Sequence, residues 1–267
     1  MRRLLNSQVK LSRAFDKLLP ADMRVDGNAY FNTDFVEAYV RPGQRVWDVG
    51  SGRFPYFSLE DKKRLKLHVT GLDIVAKELA AAPKGAYDEA VTGDLTRFTG
   101  KGQADLVVSN AVLEHVRDTR AAMRAIASLL KPGGEAALFL PSRNAVFARL
   151  NIVLPEGLKR WLLQNLKPGY KGNAGWPAFY DRCTPRDFRR MAKENGLTVV
   201  ELKSFYISSY FMAFFPLYVL WRVWMLLFRA VAGENAAETF CIALRKEAEA
   251  LGNYATVGGS EVVDAVG

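Results

Sequence analysis

Short apolar segments alternate with helical segments between residues 45 and 140 of the chain. Hydrophobic residues recur at near-helical spacing over residues 112–129, and KPGG then ends the helix. Strands joined through helices run parallel, and the helices cover both faces of the sheet. The pattern therefore predicts an α/β protein with a doubly wound, Rossmann-like sheet. Its strands are predicted at RVWDVG (45–50), LHVTGLDI (67–74), YDEAVTGD (87–94), ADLVVSN (104–110) and EAALFLP (135–141).

The chain after residue 183 predicts one more helix and two more strands. TPRDFRRMAKENG (184–196) begins with a threonine N-cap and a proline at the first helical position, and it ends at Gly196. LTVVELKSF (197–205) and ETFCIALRK (238–246) have the composition of strands. With 267 residues, the chain is long enough for one large domain with insertions.

The loop VWDVGSGRFPYF (46–57) contains a G-x-G pair preceded by an acid, Asp48. Pro55 stands where a dinucleotide-binding loop would have its third glycine, which allows close packing of helix on strand. A carboxylate at the end of the strand would also repel an incoming phosphate. The loop therefore favours a cationic or zwitterionic ligand over a pyrophosphate.

Four segments, in this order, resemble the class I S-adenosylmethionine-dependent methyltransferases, in the bacterial group that includes ubiquinone and menaquinone biosynthetic enzymes. They are DVGSG (48–52), Asp73 at the end of the second strand, GDLT (93–96) and SNAVLEHV (109–116). The resemblance covers about residues 28–246. It implies a seven-stranded sheet with an antiparallel last strand, and S-adenosylmethionine as the cofactor.

The resemblance also implies a set of cofactor-binding residues. Asp48, Gly50 and Gly52 would lie beside the methionine part of the cofactor. Asp73, followed by Ile74, would bind both ribose hydroxyls, in keeping with a carboxylate's capacity to accept two hydrogen bonds at the end of a strand. The chain departs from the family at Phe54, where a glycine is common. The remaining implied contacts are Asp94 at the adenine amino group, Leu95 on the adenine ring, and Asn110 after the fourth strand.

Methyl transfer to a hydroxyl needs a base, and His115 is the candidate. It is one of two histidines, and it follows the fourth strand at the end that carries the ligand. The alternative is a histidine that packs or supports the cofactor. The two cysteines, Cys183 and Cys241, are far apart and lack a C-x-x-C spacing, so neither a disulfide framework nor a metal site is predicted, and a reducing cytoplasmic setting fits best.

A lid insertion at 144–183 is predicted to overhang the acceptor pocket. Residues 141–193 hold eleven Lys or Arg and three Asp or Glu, an excess of eight positive charges. In the first half of the insertion, basic residues are mixed with aliphatic and aromatic ones, as in a basic amphipathic helix at a membrane surface. An ordinary packed lid is the alternative. Candidate substrate contacts in its second half are Tyr170, Trp176, Tyr180 and Asp181.

An apolar insertion follows at 204–231, SFYISSYFMAFFPLYVLWRVWMLLFRAV. No side chain from Ser204 to Trp221 is charged, a length close to the ~20 residues that cross a bilayer. Because the insertion joins two strands expected to pair, both of its ends must lie on one side of a membrane. We expect Pro216 to divide it into two short pieces, with Arg222 and Arg229 among lipid headgroups. A hydrophobic lid or a dimer interface is the alternative.

The predicted organisation is a basic amphipathic helix at 1–27, a methyltransferase domain at 28–246 with both insertions, and a disordered tail at 247–267. The predicted function is O-methylation of a lipophilic or lipid-linked acceptor by a cytoplasmic enzyme, peripheral (monotopic) on the anionic inner face of the membrane. The alternatives are a soluble methyltransferase of a hydrophobic metabolite and a non-catalytic protein that binds the cofactor. The aliphatic residues among the basic ones suit lipid better than nucleic acid.

Overall fold

The computed structural model describes residues 2–155, 157–158, 176–208 and 211–248. These residues form a seven-stranded sheet in the order β3-β2-β1-β4-β5-β7-β6. The strands are β1 Arg45–Val49, β2 His68–Asp73, β3 Glu89–Thr92, β4 Ala104–Asn110, β5 Leu130–Pro141, β6 Leu197–Phe205 and β7 Thr239–Lys246.

The strands β1 to β5 pair in parallel, whereas β7 lies between β5 and β6 and runs antiparallel to both. This arrangement confirms the predicted doubly wound sheet with an antiparallel last strand. One apolar cluster covers each face of the sheet, with Val49 and Val107 on one side and Val46 and Val108 on the other. Burial on both faces explains why these strands are continuous apolar runs.

The described helices connect the strands and flank the sheet. The predicted start of the helix after residue 183 is confirmed, because the Thr184 hydroxyl accepts a hydrogen bond from the Asp187 N–H at 3.1 Å, with Pro185 at the first helical position. A π-helical segment, Phe31–Phe35, follows α2. The α-helices are α1 Arg2–Asp16, α2 Gly27–Tyr30, α3 Leu59–Arg64, α4 Ala76–Ala80, α5 Thr119–Leu129, α6 Val146–Val153, α7 Pro185–Glu194 and α8 Phe215–Ala232.

A third apolar cluster joins α8 to the N-terminal residues. At its centre the side chain of Arg222 is fully buried, with its Nε 3.0 Å from Asp16 Oδ1. The guanidinium also donates to the carbonyl oxygens of Tyr206 at 2.6 Å and Met23 at 2.7 Å, and Tyr218 donates its hydroxyl to Asp16 Oδ2 at 2.6 Å. The ion pair therefore belongs to a set of hydrogen bonds that link α8 to the N-terminal residues.

Two predictions about the apolar insertion are wrong. Pro216 lies in the first turn of α8. Backbone N–H groups in the first turn have no partner within the helix, so the missing N–H of proline costs nothing there. Pro216 therefore begins a helix of 18 residues instead of dividing the segment. Arg222 does not face headgroups, because it is buried on Asp16. Arg229 pairs with Asp22 at 2.5 Å but is about one third exposed, so its contact with headgroups stays a prediction. The acids that bind both arginines lie about two hundred residues earlier in the chain, so the local pattern could not reveal them.

The Asp16→Ala variant should lower the free energy of unfolding by about 3–5 kcal/mol, because it leaves the buried Arg222 cation unpaired. The matched control is Asp22→Ala, which breaks the partly exposed pair with Arg229 and should change stability by less than about 1 kcal/mol. Urea unfolding followed by circular dichroism measures both. Equal, small effects in the two variants would contradict a structural role for the buried pair.

Candidate cofactor and catalytic site

The predicted cofactor-binding residues lie along one edge of the sheet. Asp48, Asp73 and Asn110 are at or beside the carboxyl ends of β1, β2 and β4, and these three strands run parallel. Open α/β sheets bind their ligands at this edge. The structure therefore brings together three residues that are up to 62 positions apart in the sequence.

Asp48 organises the loop that follows β1. The carboxylate is almost fully buried, and it accepts hydrogen bonds from the Ser51 hydroxyl and from the Tyr56 N–H, the latter at 2.7 Å. Burial raises the pKa of Asp48 to about 6, in spite of these hydrogen bonds, which act in the opposite direction. Asp48 thus holds residues 51–56 in place; its contact with the methionine part of the cofactor stays a prediction.

Gly50 and Gly52 have backbone conformations and close neighbours that exclude larger residues. Both have positive φ angles, +82° and +51° respectively. A Cβ atom on Gly50 would come within 2.4 Å of Val112, and one on Gly52 within 3.1 Å of Asp73 Oδ2. The second glycine therefore leaves open the space directly in front of the Asp73 carboxylate.

One carboxylate oxygen of Asp73 accepts a backbone hydrogen bond, and the other is available to bind a ligand. Its Oδ1 accepts the Val75 N–H at 2.8 Å, whereas Oδ2 has no hydrogen-bond partner among the residues that the structure describes. The next side chain, Ile74, is 58% exposed and offers an apolar surface. An available carboxylate oxygen beside an open glycine fits the ribose diol of the expected cofactor.

Asp94 and Leu95 follow β3 and lie next to this position, since the Gly93 N–H donates to the Asp73 carbonyl at 2.9 Å. Asp94 Oδ1 accepts both the backbone N–H and the hydroxyl of Thr96, at 2.9 and 2.8 Å. Leu95 is buried in the core cluster on one face of the sheet. Both residues follow the strand that pairs with β2, and their roles at the adenine stay predictions.

An N-terminal segment closes one side of the site, and sequence reasoning missed it. Asn110 donates its side-chain N–H to Asn32 Oδ1 at 3.3 Å. Asn32 belongs to the π-helical segment and also bonds the backbone carbonyl of Asn28 at 2.7 Å. The partner is 78 residues away in sequence, so only the fold could place it beside the carboxyl end of β4.

His115 lies in a short 3₁₀ turn, Leu113–His115, that follows β4. Its Nδ1 is 3.0 Å from the carbonyl oxygen of Pro177. Because a carbonyl only accepts, Nδ1 must carry the proton, and Nε2 of the neutral ring is then the basic nitrogen. The side chain is about one third exposed, so an acceptor group could approach it.

Glu114 is a buried acid next to this histidine, and sequence reasoning missed it too. Its Oε1 lies 3.7 Å from His115 Nε2, and its Oε2 has no partner among the described residues. Burial raises the pKa of Glu114 to about 8, so the group is mostly protonated at neutral pH. The available signal was a single acid within the apolar run AVLEHV.

The end of the lid insertion packs against the same turn. The backbone N–H groups of Phe179 and Tyr180 both donate to the Glu114 carbonyl, at 2.7 and 3.0 Å. Asp181 Oδ2 accepts the Thr119 N–H at 3.0 Å, at the beginning of α5. The Tyr180 side chain is buried, Trp176 is 60% exposed, and Tyr170 lies outside the described residues. Substrate contact by these residues stays a prediction.

The sheet order, the glycine loop after β1 and the acid at the end of β2 together define a class I S-adenosylmethionine-dependent methyltransferase. A family model described as a methyltransferase domain matches residues 11–202, and the chain belongs to this family. The enzyme thus uses S-adenosylmethionine as its cofactor.

Two curated relatives are named ubiquinone biosynthesis O-methyltransferases. The protein from Paramagnetospirillum magneticum is 32% identical over 215 residues, which cover 78% of this chain and 78% of the relative. The protein from Cereibacter sphaeroides is 29% identical over 181 residues, which cover 66% of this chain and 68% of the relative.

Solved structures of methyltransferases share the fold at low sequence identity. Geranyl diphosphate C-methyltransferase from Streptomyces coelicolor has a TM-score of 0.54 at 13% identity, covering 82% of this chain and 79% of that one. Phosphoethanolamine N-methyltransferase 2 from Haemonchus contortus has a TM-score of 0.53 at 18% identity, covering 88% and 56% respectively.

The Asp73→Ala variant should bind S-adenosylmethionine more weakly by about 1.5–3 kcal/mol, the usual scale for hydrogen bonds to a charged group. Isothermal titration calorimetry measures the affinity. The matched control is Glu89→Ala, an exposed acid on the neighbouring strand, which should bind as the wild type does. Unchanged affinity in Asp73→Ala would remove this residue from the ribose role.

The Glu114→Gln variant should change how stability depends on pH. The folded pKa of about 8 exceeds the ordinary value of 4.5, so this acid lowers the stability of the wild type progressively as pH rises between these values. Glutamine does not ionise, so the variant should gain stability relative to the wild type as pH rises across that range, by at most about 1.4 kcal/mol for each pH unit. Urea unfolding at several pH values measures the difference. The exposed Glu37→Gln control should follow the wild-type pH profile. If Glu114→Gln also followed it, the predicted cost of the buried Glu114 carboxylate would be refuted.

Proposed function

We propose that this methyltransferase modifies an oxygen of a lipophilic or lipid-linked acceptor while docked on the cytoplasmic surface of a membrane. The observation that carries the proposal is the exposed apolar face of α8, next to the sheet edge that holds the cofactor residues. The names of the relatives, which are O-methyltransferases of ubiquinone biosynthesis, support an oxygen acceptor with a lipophilic character.

The exposed face of α8 is apolar along its whole length. Its opposite face packs on the protein through Tyr218, Trp221, Arg222 and Met225. A continuous apolar surface of this kind marks an interface with another molecule or a membrane, and Trp224 adds a residue that favours the membrane–water boundary. The exposed side chains are Phe214, Leu217, Leu220, Val223, Trp224, Leu226, Leu227 and Val231.

The connections of α8 favour a helix that lies in the membrane surface. Among the described residues, only Phe215–Ala236 is long and apolar enough to span a membrane by length and composition, which by itself is weak evidence for a span. Phe205, at the end of β6, pairs with Thr239, at the start of β7. Both ends of the insertion therefore lie at one point of the sheet, so α8 fits a monotopic position better than a crossing.

The docking helix and the cofactor residues lie at the same edge of the sheet. Thr239 also pairs with Pro141 at the carboxyl end of β5, and β5 pairs with β4 up to Asn110. An acceptor that stays partly in the membrane would thus meet the site from the side on which α8 lies.

The catalytic work of the protein is alignment and proton transfer. S-adenosylmethionine, when bound, supplies the activated methyl group. Asp73 and the backbone around Gly50 and Gly52 would hold it. His115 Nε2 would accept the proton of the acceptor hydroxyl as that oxygen takes the methyl group, while the Pro177 carbonyl holds Nδ1–H. The resulting imidazolium is close enough to Glu114 to favour the ionised form of that acid.

The His115→Ala variant should lower kcat by about 10²-fold or more, the usual contribution of a general base, and should leave the affinity for S-adenosylmethionine nearly unchanged. The matched control is His68→Ala, which removes the other histidine at the opposite edge of the sheet. Transfer of labelled methyl into a lipid extract, together with calorimetry, measures both quantities. A kcat equal to that of the control would return His115 to a packing role.

The Leu227→Ser and Val231→Ser double variant should bind vesicles at least tenfold more weakly, since burying each large aliphatic side chain contributes about 1.5–3 kcal/mol. Flotation with phospholipid vesicles measures the binding. The control is Leu59→Ser, which changes an exposed leucine on α3 and should float as the wild type does. Wild-type protein that ignores vesicles and methylates a soluble metabolite would support the soluble alternative.

A further inference from the structure

An apolar groove of about 700 Å³ lies between α6 and α8. Leu150 and Val153 line it from α6, and Leu217, Leu220 and Trp224 line it from α8. This volume is within the range of small-ligand sites. The apolar lining suits a hydrocarbon chain.

The groove has walls that the fold holds in place. Glu238 Oε1 accepts hydrogen bonds from the Val146 N–H at 3.2 Å and from Trp221 Nε1 at 3.3 Å. Val146 belongs to α6 and Trp221 to α8, and both line the groove. Because one buried carboxylate joins the two helices, the space between them is a built feature of the protein.

One cationic side chain, Arg149, belongs to the described lining of the groove. Arg149 donates to Asn144 Oδ1 at 2.7 Å, and no carboxylate among the described residues pairs with it. Asn144, which also lines the groove, donates in turn to the carbonyl of Asn235 at 2.9 Å. A guanidinium with free N–H groups binds phosphate well. The site thus complements a molecule with an anionic head and a hydrocarbon tail.

We infer that this groove binds one acyl chain of an anionic phospholipid, with the phosphate at Arg149. The inference rests on the proposed docking at a membrane and adds a lipid preference and an orientation to it. Leu220 and Trp224 are groove residues and also belong to the exposed face of α8, so a lipid chain can enter the groove from the membrane that α8 contacts.

The test compares flotation with phosphatidylcholine vesicles with and without phosphatidylglycerol. The Arg149→Gln variant should bind vesicles containing phosphatidylglycerol about fivefold more weakly, the usual effect of one basic residue at an anionic surface. It should bind pure phosphatidylcholine vesicles as the wild type does. The matched control is Arg124→Gln, an exposed arginine on α5, which should not change either binding. Phosphatidylglycerol with brominated chains should still quench tryptophan fluorescence in the Trp224→Phe variant, because Trp221 also lines the groove but is buried away from the exposed face of α8.

Other outcomes overturn the inference in distinguishable ways. Equal binding by the Arg149→Gln and Arg124→Gln variants would show that no headgroup sits at Arg149. Vesicle binding without quenching in the Trp224→Phe variant would show that no lipid chain enters the groove. A raised KM for a long-tailed acceptor in Arg149→Gln, with vesicle binding unchanged, would assign the groove to the acceptor. In all three cases the wild type still floats. Wild type that floats with neither vesicle type would reject the docking proposal itself.

Discussion

The buried ion pair between Asp16 and Arg222 determines which surface the molecule exposes. A cation inside a protein is strongly unfavourable unless it is paired and hydrogen-bonded, and Arg222 meets both conditions through Asp16 and the carbonyl oxygens of Tyr206 and Met23. This requirement fixes the rotation of α8 about its axis. The arginine faces inward against α1, and the side of α8 that carries Leu220, Trp224 and Leu227 faces outward.

The antiparallel placement of β7 brings α8 to the edge of the sheet formed by the carboxyl ends of the parallel strands. Since β7 begins where β5 and β6 end, the segment around Glu238 meets the end of both strands: its N–H donates to the Phe205 carbonyl and its carbonyl accepts the Ser142 N–H, each at 2.8 Å. The side chain of the same residue joins α6 to α8. The groove between α6 and α8 therefore meets the carboxyl ends of β5 and β6 at Glu238.

The sequence predicts well those features that depend on neighbouring residues. Buried parallel strands and the capped start of α7 at Thr184 follow from composition and local hydrogen bonding. The features that it could not predict depend on distant partners. The neighbours of Arg222 in the sequence are those of an arginine at a membrane interface. It is buried only because α8 packs against α1. Pro216 can interrupt or begin a helix, and the choice depends on where the preceding chain packs. Asn32 and Glu114 gain their positions beside the site from elements 78 and about 65 residues away.

Three buried acids, Asp48, Glu114 and Glu238, show a further consequence of this architecture. Burial raises their pKa values to about 6, 8 and 7, because the sheet edge, the turn after β4 and the α6–α8 junction all exclude water. Each raised value means that the group binds a proton in the folded state that it would release when unfolded, so each reduces stability as pH rises above the ordinary range for carboxyl groups. Asp48 and Glu238 nevertheless accept hydrogen bonds that hold a loop or two helices, and Glu114 lies against the candidate base. The burial that makes these acids costly also strengthens the hydrogen bonds that Asp48 and Glu238 accept, so the loss of stability and the fixed position of the loop and of the two helices have a common physical origin.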